Sequence, residues 1–191
     1  MRKIFLLILI FFNINICAIA EANRIISGQV NAKITIIAYE SLTCSHCADF
    51  HKNIYPQLKK DYLDTGIAKI EFRHFPLDIA AFNAAKIAQC KNEQSLEILD
   101  ILYTNQQAWV KGSSVEDINN NLENYLKQAG FNFNFEECIN NKEIEDFVLN
   151  DRIEAVKNFD INATPTIIIN GKKFKKTLNY KNLKKSLEKL I

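Results

Sequence analysis

The amino-acid sequence predicts an α/β protein in which a mixed four-stranded sheet is flanked by helices and split by an all-helical insertion. Three observations predict this fold class. A strand, a helix and a second strand follow one another over 32–75, and helical periodicity is almost unbroken over 78–159. An Asn170-Gly171 hairpin signal then precedes a terminal helix. The 191 residues suffice for one domain with a good core.

The first half of the predicted sheet is a strand–helix–strand unit. Its first strand, 32–41, is the apolar and β-branched run AKITIIAYES, which suits burial on both faces. A helix over 44–63 has apolar residues at helical spacing, and Gly66 stands just beyond it. The second strand, 67–75, is stopped by Pro76. Such a unit is normally right-handed and parallel.

The helical stretch separates two parts of the host domain. Helical periodicity fills 78–159 without a Pro- or Gly-rich linker, so we expect an insertion packed on its host. Residues 21–77 would form the first part of the host and 160–191 the second. Within the second part, two strands over 166–176 meet at the hairpin before the chain ends in a helix.

Residues 1–20 are typical of a secretory signal peptide. Arg2 and Lys3 precede the apolar run IFLLILIFF, which is too short to span a bilayer, and a small-x-small cleavage site ends at Ala20. The alternative is an uncleaved N-terminal anchor. Cleavage predicts an exported protein with no stable membrane insertion. It also removes two basic residues and the net charge of +2, so nucleic-acid binding is not expected.

Two of the cysteines that remain after cleavage lie in the helical insertion. Cys90 and Cys138 fall on separate helical segments, and exported proteins keep disulfides because their compartment is oxidising. We therefore predict a structural disulfide between them. The alternative is a pair of buried free thiols.

The other two cysteines stand two residues apart in the stretch YESLTCSHCADFH. Cys44 is placed where the helix begins, so unpaired backbone N–H groups favour its thiolate, and His46 adds a possible cation. Cys47 lies nearly one turn further on the same face. An exposed attacking thiol backed by a resolving thiol is the arrangement that thiol–disulfide exchange requires. A stabilised thiolate favours the reduced form, so the disulfide form would be oxidising.

The alternatives for this motif are a zinc site and a purely structural disulfide. A zinc site could use Cys44, Cys47 and His51, but structural zinc normally has four ligands and the sequence holds no second CxxC motif. We therefore predict no metal and no cofactor. A purely structural Cys44–Cys47 bridge would close a very short ring and remove little chain entropy.

The motifs resemble those of a known family. YESLTCSHCADFH is similar to the CxHC signature of DsbA-like thiol:disulfide oxidoreductases, which are periplasmic proteins with a thioredoxin fold. The segment FRHFPL resembles the stretch after their second strand, and ATPTIIINGKKF resembles their cis-proline loop and hairpin. The resemblance covers nearly the whole chain after Ala20, including the helical insertion.

The resemblance implies a role for each matching residue. Cys44 would be the nucleophile and Cys47 the resolving thiol, with a pKa of Cys44 tuned by the Ser45-His46 dipeptide. The bond between Thr164 and Pro165 would be cis, and its loop would lie against the CxxC motif and pair with an extended substrate peptide. The alternative is that Pro165 merely starts a strand.

The chain departs from the best-known members at one buried position. Six residues before the first cysteine they carry a carboxylate, whereas this chain has Ala38. Glu40 points the same way along the strand and could replace it as a proton acceptor for Cys47. His51, one turn past Cys47, is a second candidate. The alternative for both is a structural or surface role.

The predicted function is oxidation of cysteine pairs in exported proteins. The family implies reduced secreted or periplasmic substrates, a periplasmic location, and reoxidation by a membrane, quinone-linked, DsbB-like partner. One alternative is a disulfide isomerase or reductase. Dedicated isomerases carry a separate dimerisation domain, and the short stretch before the first predicted strand leaves no room for one. A different class is a non-catalytic secreted binding or surface-antigen protein.

Overall fold

The computed structural model describes residues 23–91 and 93–191. The predicted signal peptide, 1–20, lies outside these residues. The strands are β1 (Ile25–Gly28), β2 (Ile34–Glu40), β3 (Ala68–His74), β4 (Thr166–Ile169) and β5 (Lys172–Lys173). The α-helices are α1 (Ser45–Asp49), α2 (Tyr55–Leu58), α3 (Ile79–Cys90), α4 (Ser95–Thr104), α5 (Gln106–Trp109), α6 (Val115–Gln128), α7 (Phe135–Asn140), α8 (Lys142–Phe159) and α9 (Tyr180–Leu187).

One mixed sheet organises the host domain, with strand order β1-β3-β2-β4-β5. β2 and β3 are parallel, and the other neighbouring pairs are antiparallel. The predicted fold class and the parallel βαβ unit are thus confirmed. The strand count of four was wrong, because the short β1 adds a fifth strand at the edge beside β3.

The helical segment after β2 is continuous over 45–63, but it is not a uniform α-helix. Wider π-type turns, Phe50–Ile54 and Lys59–Leu63, alternate with α1 and α2. Short π-type segments inside helices frequently occur at functional sites. The first of them carries His51, whose side chain is buried against the sheet.

The central strand β2 sets the position of the site. Alternate residues of a strand share a face, and Ile36, Ala38 and Glu40 are all buried at 3% exposure or less. The chain leaves the sheet after Glu40, and α1 starts five residues later, at Ser45. A buried carboxylate therefore lies at the end of the strand that leads directly to Cys44.

The helical insertion contains α3 to α8, and a disulfide joins two of its helices. Cys90 ends α3, Cys138 lies in α7, and their sulfur atoms are 2.03 Å apart. Trp109 is fully buried, and its indole N–H donates to the carbonyl of Leu102 at 2.9 Å, so the ring belongs to the core. Within the described ranges, no helix combines the length and apolar character needed to cross a membrane.

Candidate active site

Two contacts hold the loop that carries Cys44 against the helical insertion. The hydroxyl of Thr43 donates to the Asp78 carboxylate at 2.7 Å, and the same side chain caps the start of α3. From α5, the Gln106 amide donates to the carbonyls of Leu42 at 2.7 Å and Cys44 at 3.1 Å. The insertion therefore fixes the loop from two directions.

Cys44 is the N-cap residue of α1 and is partly exposed, and its thiol is free. A hydrogen bond from the Cys47 thiol lowers the pKa of Cys44 most strongly; burial opposes this, and Thr164 and the backbone N–H groups of Cys47 and His46 add to the lowering. The resulting pKa is about 5. At neutral pH the thiolate therefore predominates.

Cys47 has the opposite environment. It is free and fully buried, and burial raises its pKa far above the usual range. Donation of its proton to Cys44 and the nearby Glu40 carboxylate raise the pKa further. Of the two cysteines, which lie one turn apart, Cys44 is thus an accessible thiolate and Cys47 a buried thiol.

The loop before β4 lies directly against Cys44. The bond between Thr164 and Pro165 is cis, and the sulfur of Cys44 lies 3.5 Å from the carbonyl oxygen of Thr164, to which it donates when it is protonated. The Thr164 hydroxyl is buried and lacks a hydrogen-bond partner among residues 23–91 and 93–191. This hydroxyl lowers the pKa of Cys44, so the acceptor available for its hydrogen bond is the Cys44 thiolate.

Two grooves open beside the CxxC motif. A cleft of about 180 Å³ lies between the start of the helix and the cis-proline loop, and its lining includes His46, Phe50, Pro165 and Leu178. A larger groove of about 420 Å³ runs between α1 and the insertion. Its lining residues are Ser45, Ala48, Asp49, Lys52, Tyr103, Thr104, Asn105, Gln106, Gln107 and Ala108.

The side chains of the predicted tuning residues face outward. Ser45 and His46 are both exposed. His46 reaches the sulfur of Cys44 through its backbone N–H. The contribution of His46 to the environment of the Cys44 sulfur therefore comes from its backbone N–H at the start of the helix.

Glu40 and His51 form a buried pair behind the cysteines. His51 Nε2 and Glu40 Oε2 are 2.8 Å apart, and the two side chains are 1% and 2% exposed. Burial raises the pKa of Glu40 and His51 opposes this rise. Burial by itself would lower the pKa of His51, but Glu40 and Asp100 outweigh it and the net pKa is raised.

Three residues of the insertion near the site were not anticipated from the sequence. Asp100 faces His51, Tyr103 stacks on its ring with centroids 4.1 Å apart, and Gln106 holds the cysteine loop. All three lie outside the two motifs, and only tertiary packing brings them to the site. Across the described residues, no group of three or more His, Cys, Asp and Glu side chains is placed to hold a metal ion.

Comparison with solved structures extends over most of the chain. A crystal structure of alpha-DsbA1 from Wolbachia pipientis matches with a TM-score of 0.79 and 30% identity, covering 88% of this chain and 90% of that one. BdbD from Bacillus subtilis matches with a TM-score of 0.70 and 23% identity, covering 86% and 90% of the two chains. At 23% identity, the similarity to BdbD shows a shared fold alone.

Sequence comparison points to the same group of proteins. A Rickettsia conorii protein that bears a provisional protein-disulfide oxidoreductase name is 26% identical over 79% of this chain, and the match covers 54% of that protein. This chain therefore spans about half the length of that relative. Disulfide bond formation protein D of Bacillus subtilis is 24% identical over 85% of this chain and 74% of its own length.

The similarity to the thioredoxin family extends over most of the chain, well beyond the two motifs. The thioredoxin family model matches residues 20–189, which include both halves of the host domain and the insertion. The Wolbachia structure shares the inserted helices as well as the sheet, since the match covers 88% of this chain. The protein therefore belongs to the thioredoxin family, among its DsbA-like thiol:disulfide oxidoreductases.

Proposed function

We propose that this protein oxidises pairs of cysteines in exported proteins, with Cys44 as the nucleophile and Cys47 as the resolving thiol. The observation that carries the proposal is the contrast between the two sulfurs. Cys44 is accessible and has a pKa of about 5, whereas Cys47 is buried with a raised pKa. Thiol–disulfide exchange proceeds through the thiolate, so only Cys44 is ready to react at neutral pH.

The oxidation of a substrate takes two exchanges. A substrate thiolate attacks the sulfur of Cys44 in the disulfide form, the Cys44–Cys47 bond breaks, and the leaving Cys47 sulfur takes up a proton. A second substrate thiolate then attacks the substrate sulfur of this mixed disulfide, and Cys44 leaves as a thiolate. The substrate loses two electrons and the protein gains them. The product of these two exchanges is the reduced protein, in which Cys44 and Cys47 are no longer bonded.

The stabilised Cys44 thiolate of the reduced protein favours the oxidation of substrates over their reduction. Every contact that lowers the pKa of Cys44 stabilises the reduced protein relative to its disulfide form. The disulfide form is therefore the more strongly oxidising one, which favours an oxidase over a reductase. Reoxidation would return the two electrons to a membrane, quinone-linked, DsbB-like partner.

The cis-proline loop supplies the surface for an extended peptide. Thr164 contacts Cys44, and both Thr164 and Pro165 line the cleft of about 180 Å³. A substrate cysteine presented to Cys44 would place its neighbouring residues against this loop. Phe50, Ile54 and Leu178 give the cleft an apolar floor, and His46 and Asp49 give it a polar rim. Export to the periplasm would bring the protein to such substrates.

The proposal is tested by supplying the purified disulfide form to reduced, unfolded ribonuclease and, in parallel, the reduced form to scrambled ribonuclease. We expect rapid loss of free thiols in the first reaction and little reactivation in the second. A Cys44→Ala variant is the control, since it lacks the nucleophile but leaves the Cys90–Cys138 disulfide in place. Strong reactivation of the scrambled enzyme together with poor oxidation would assign an isomerase. Inactivity in both reactions would favour a non-catalytic protein.

A further inference from the structure

The Glu40–His51 pair is buried, and the half-exposed side chain of Asp100, from the helical insertion, lies beside it. Resting on the proposed function, we propose that Asp100 on α4 connects this buried pair to solvent, and that protons travel between Cys47 and the surface through Glu40, His51 and Asp100. The inserted helices would thus take part in the chemistry of the resolving thiol. Asp100 is a positioning residue in this scheme, since it acts through His51.

The inner end of this path lies at Cys47. The Cys47 sulfur accepts a hydrogen bond from the backbone N–H of Ser41, which directly follows Glu40 in the chain. Glu40 is buried, and its Oε1 atom has no hydrogen-bond partner within the described part of the chain. An unpaired carboxylate oxygen in a buried site is costly, and it can accept a proton. The negative charge of Glu40 also acts on both cysteines.

The middle of the path is a short contact between two buried groups. His51 Nε2 and Glu40 Oε2 are 2.8 Å apart, which is within hydrogen-bonding distance. Neither side chain is more than 2% exposed, so a proton on this pair has no direct route to bulk water. The two ring nitrogens of histidine allow a proton to enter at one nitrogen while another leaves at the other.

The outer end of the path is the second ring nitrogen. His51 Nδ1 lies 3.8 Å from Asp100 Oδ1, and the Asp100 side chain is 48% exposed. Nδ1 has no hydrogen-bond partner among the residues described, 23–91 and 93–191. The distance of 3.8 Å is longer than a hydrogen bond, so the path requires the half-exposed Asp100 side chain to move toward Nδ1 when a proton is transferred.

The titratable side chains that face His51 offer its proton one route to solvent. The titratable groups that face it are Glu40 from β2, Asp100 and Tyr103 from α4, and Tyr55 from α2. Burial raises the pKa of both tyrosines, so they stay neutral. The Tyr55 hydroxyl also donates to Ser27 at 2.9 Å. Among these neighbours, only Asp100 has a carboxyl group in contact with solvent.

The proton balance requires such a path in both directions. When the Cys44–Cys47 disulfide is broken by a substrate thiolate, the departing Cys47 sulfur must gain one proton. When Cys47 later attacks Cys44 in a mixed disulfide with the reoxidising partner, its thiol must lose one proton. Cys47 is fully buried, so neither proton can be exchanged with water directly.

The test follows the two halves of a reaction with a dithiobis(nitrobenzoate) reagent, which releases one coloured thiolate at each step. Attack by Cys44 on the reagent gives the first phase, and attack by Cys47 on the resulting mixed disulfide gives the second. Stopped-flow absorbance is recorded across pH for the reduced protein, Asp100→Asn, Asp100→Glu and Glu40→Gln. The matched control is Glu97→Gln, which removes one negative charge from an exposed position one turn earlier on α4.

We expect Asp100→Asn to slow the second phase about tenfold and to leave the first unchanged, and Glu40→Gln to slow the second phase about 100-fold or more. Asp100 raises the pKa of His51, so the midpoint of the second-phase pH profile should move to lower pH in Asp100→Asn. Asp100→Glu should restore most of the rate, and Glu97→Gln should change neither phase.

The outcomes separate this inference from the proposed function. If Asp100→Asn matches Glu97→Gln in the rate and pH profile of the second phase, or slows both phases equally, the path through Asp100 is overturned while the oxidase assignment stands. If the unaltered protein shows a first phase whose midpoint lies near pH 8.5, the assignment of Cys44 as an activated nucleophile fails instead.

Discussion

The two cysteine pairs of this protein differ in almost every physical respect. Cys44 and Cys47 lie within one helical turn and are free, whereas Cys90 and Cys138 are separated by 48 residues and are bonded. The first pair stands at a helix start, where backbone N–H groups and a hydroxyl stabilise a thiolate. The second joins the end of one helix to the middle of another inside the insertion. Reactivity therefore depends on the donors around the sulfur and on access to it.

The largest expected effect comes from removing one member of the reactive pair. Cys44→Ala should reduce the oxidation of reduced ribonuclease to the uncatalysed rate, because the remaining Cys47 is buried and protonated. Cys47→Ala should instead accumulate covalent complexes with substrate, since no resolving thiol is present. Non-reducing electrophoresis measures both. Complex formation by Cys44→Ala, but not by Cys47→Ala, would reverse the assigned roles.

Removing the bonded pair should affect stability instead of chemistry. In the chain-entropy account, a cross-link that spans 48 residues stabilises the folded state by about 4 kcal/mol. The double variant Cys90→Ala/Cys138→Ala should lose a large part of that free energy of unfolding, as measured by denaturant titration. The pKa of Cys44 should stay near 5 in this variant. A shift of that pKa toward 8.5 would show that the two pairs are coupled.

The reactive pair should also make the stability of the reduced protein depend on pH. The folded-state pKa of Cys44, about 5, lies below the unfolded value of about 8.5, so the thiolate stabilises the folded state fully above pH 8.5. This contribution is lost as pH falls toward 5. The disulfide form has no such thiolate. The stability of the reduced protein, measured by thermal unfolding, should therefore fall relative to that of the oxidised protein as pH is lowered through this window, and a constant difference would contradict the account.

A smaller effect is expected from the cis-proline loop. Thr164→Val removes a hydroxyl that lowers the pKa of Cys44 and should raise that pKa from about 5 by about one pH unit, because hydrogen bonds to charged groups contribute about 1.5–3 kcal/mol. The matched control is Thr166→Val, which removes a hydroxyl that donates to the carbonyl of Ala163. Alkylation rates as a function of pH measure the effect. Equal profiles for the two variants would exclude a role for the Thr164 hydroxyl.

The parts of the fold and site that follow from local patterns could be predicted from the sequence. The apolar run 32–41 and the alternation of 67–75 predicted β2 and β3, and the cysteine spacing predicted two sulfurs on one helical face. Strand alternation also predicted that Glu40 points inward like Ala38, and both are buried. These patterns have periods of a few residues, so the chain itself records them.

The parts that depend on long-range packing could not be predicted. β1 has only four residues and owes its place to antiparallel pairing with β3, far along the chain. Asp100 and Gln106 reach the site only because the insertion folds back over the helix start. No periodicity or motif marks these residues, because their partners lie in a different half of the chain.

The central claim is that Cys44 is an activated thiolate, and the direct measurement is its pKa in the reduced protein. The pH dependence of the ultraviolet absorbance of the thiolate, with Cys44→Ala as the blank, reports this group alone because the pKa of Cys47 is far above the usual range. A midpoint near pH 5 is the predicted result. A midpoint near 8.5, the ordinary value for a cysteine, would contradict the account.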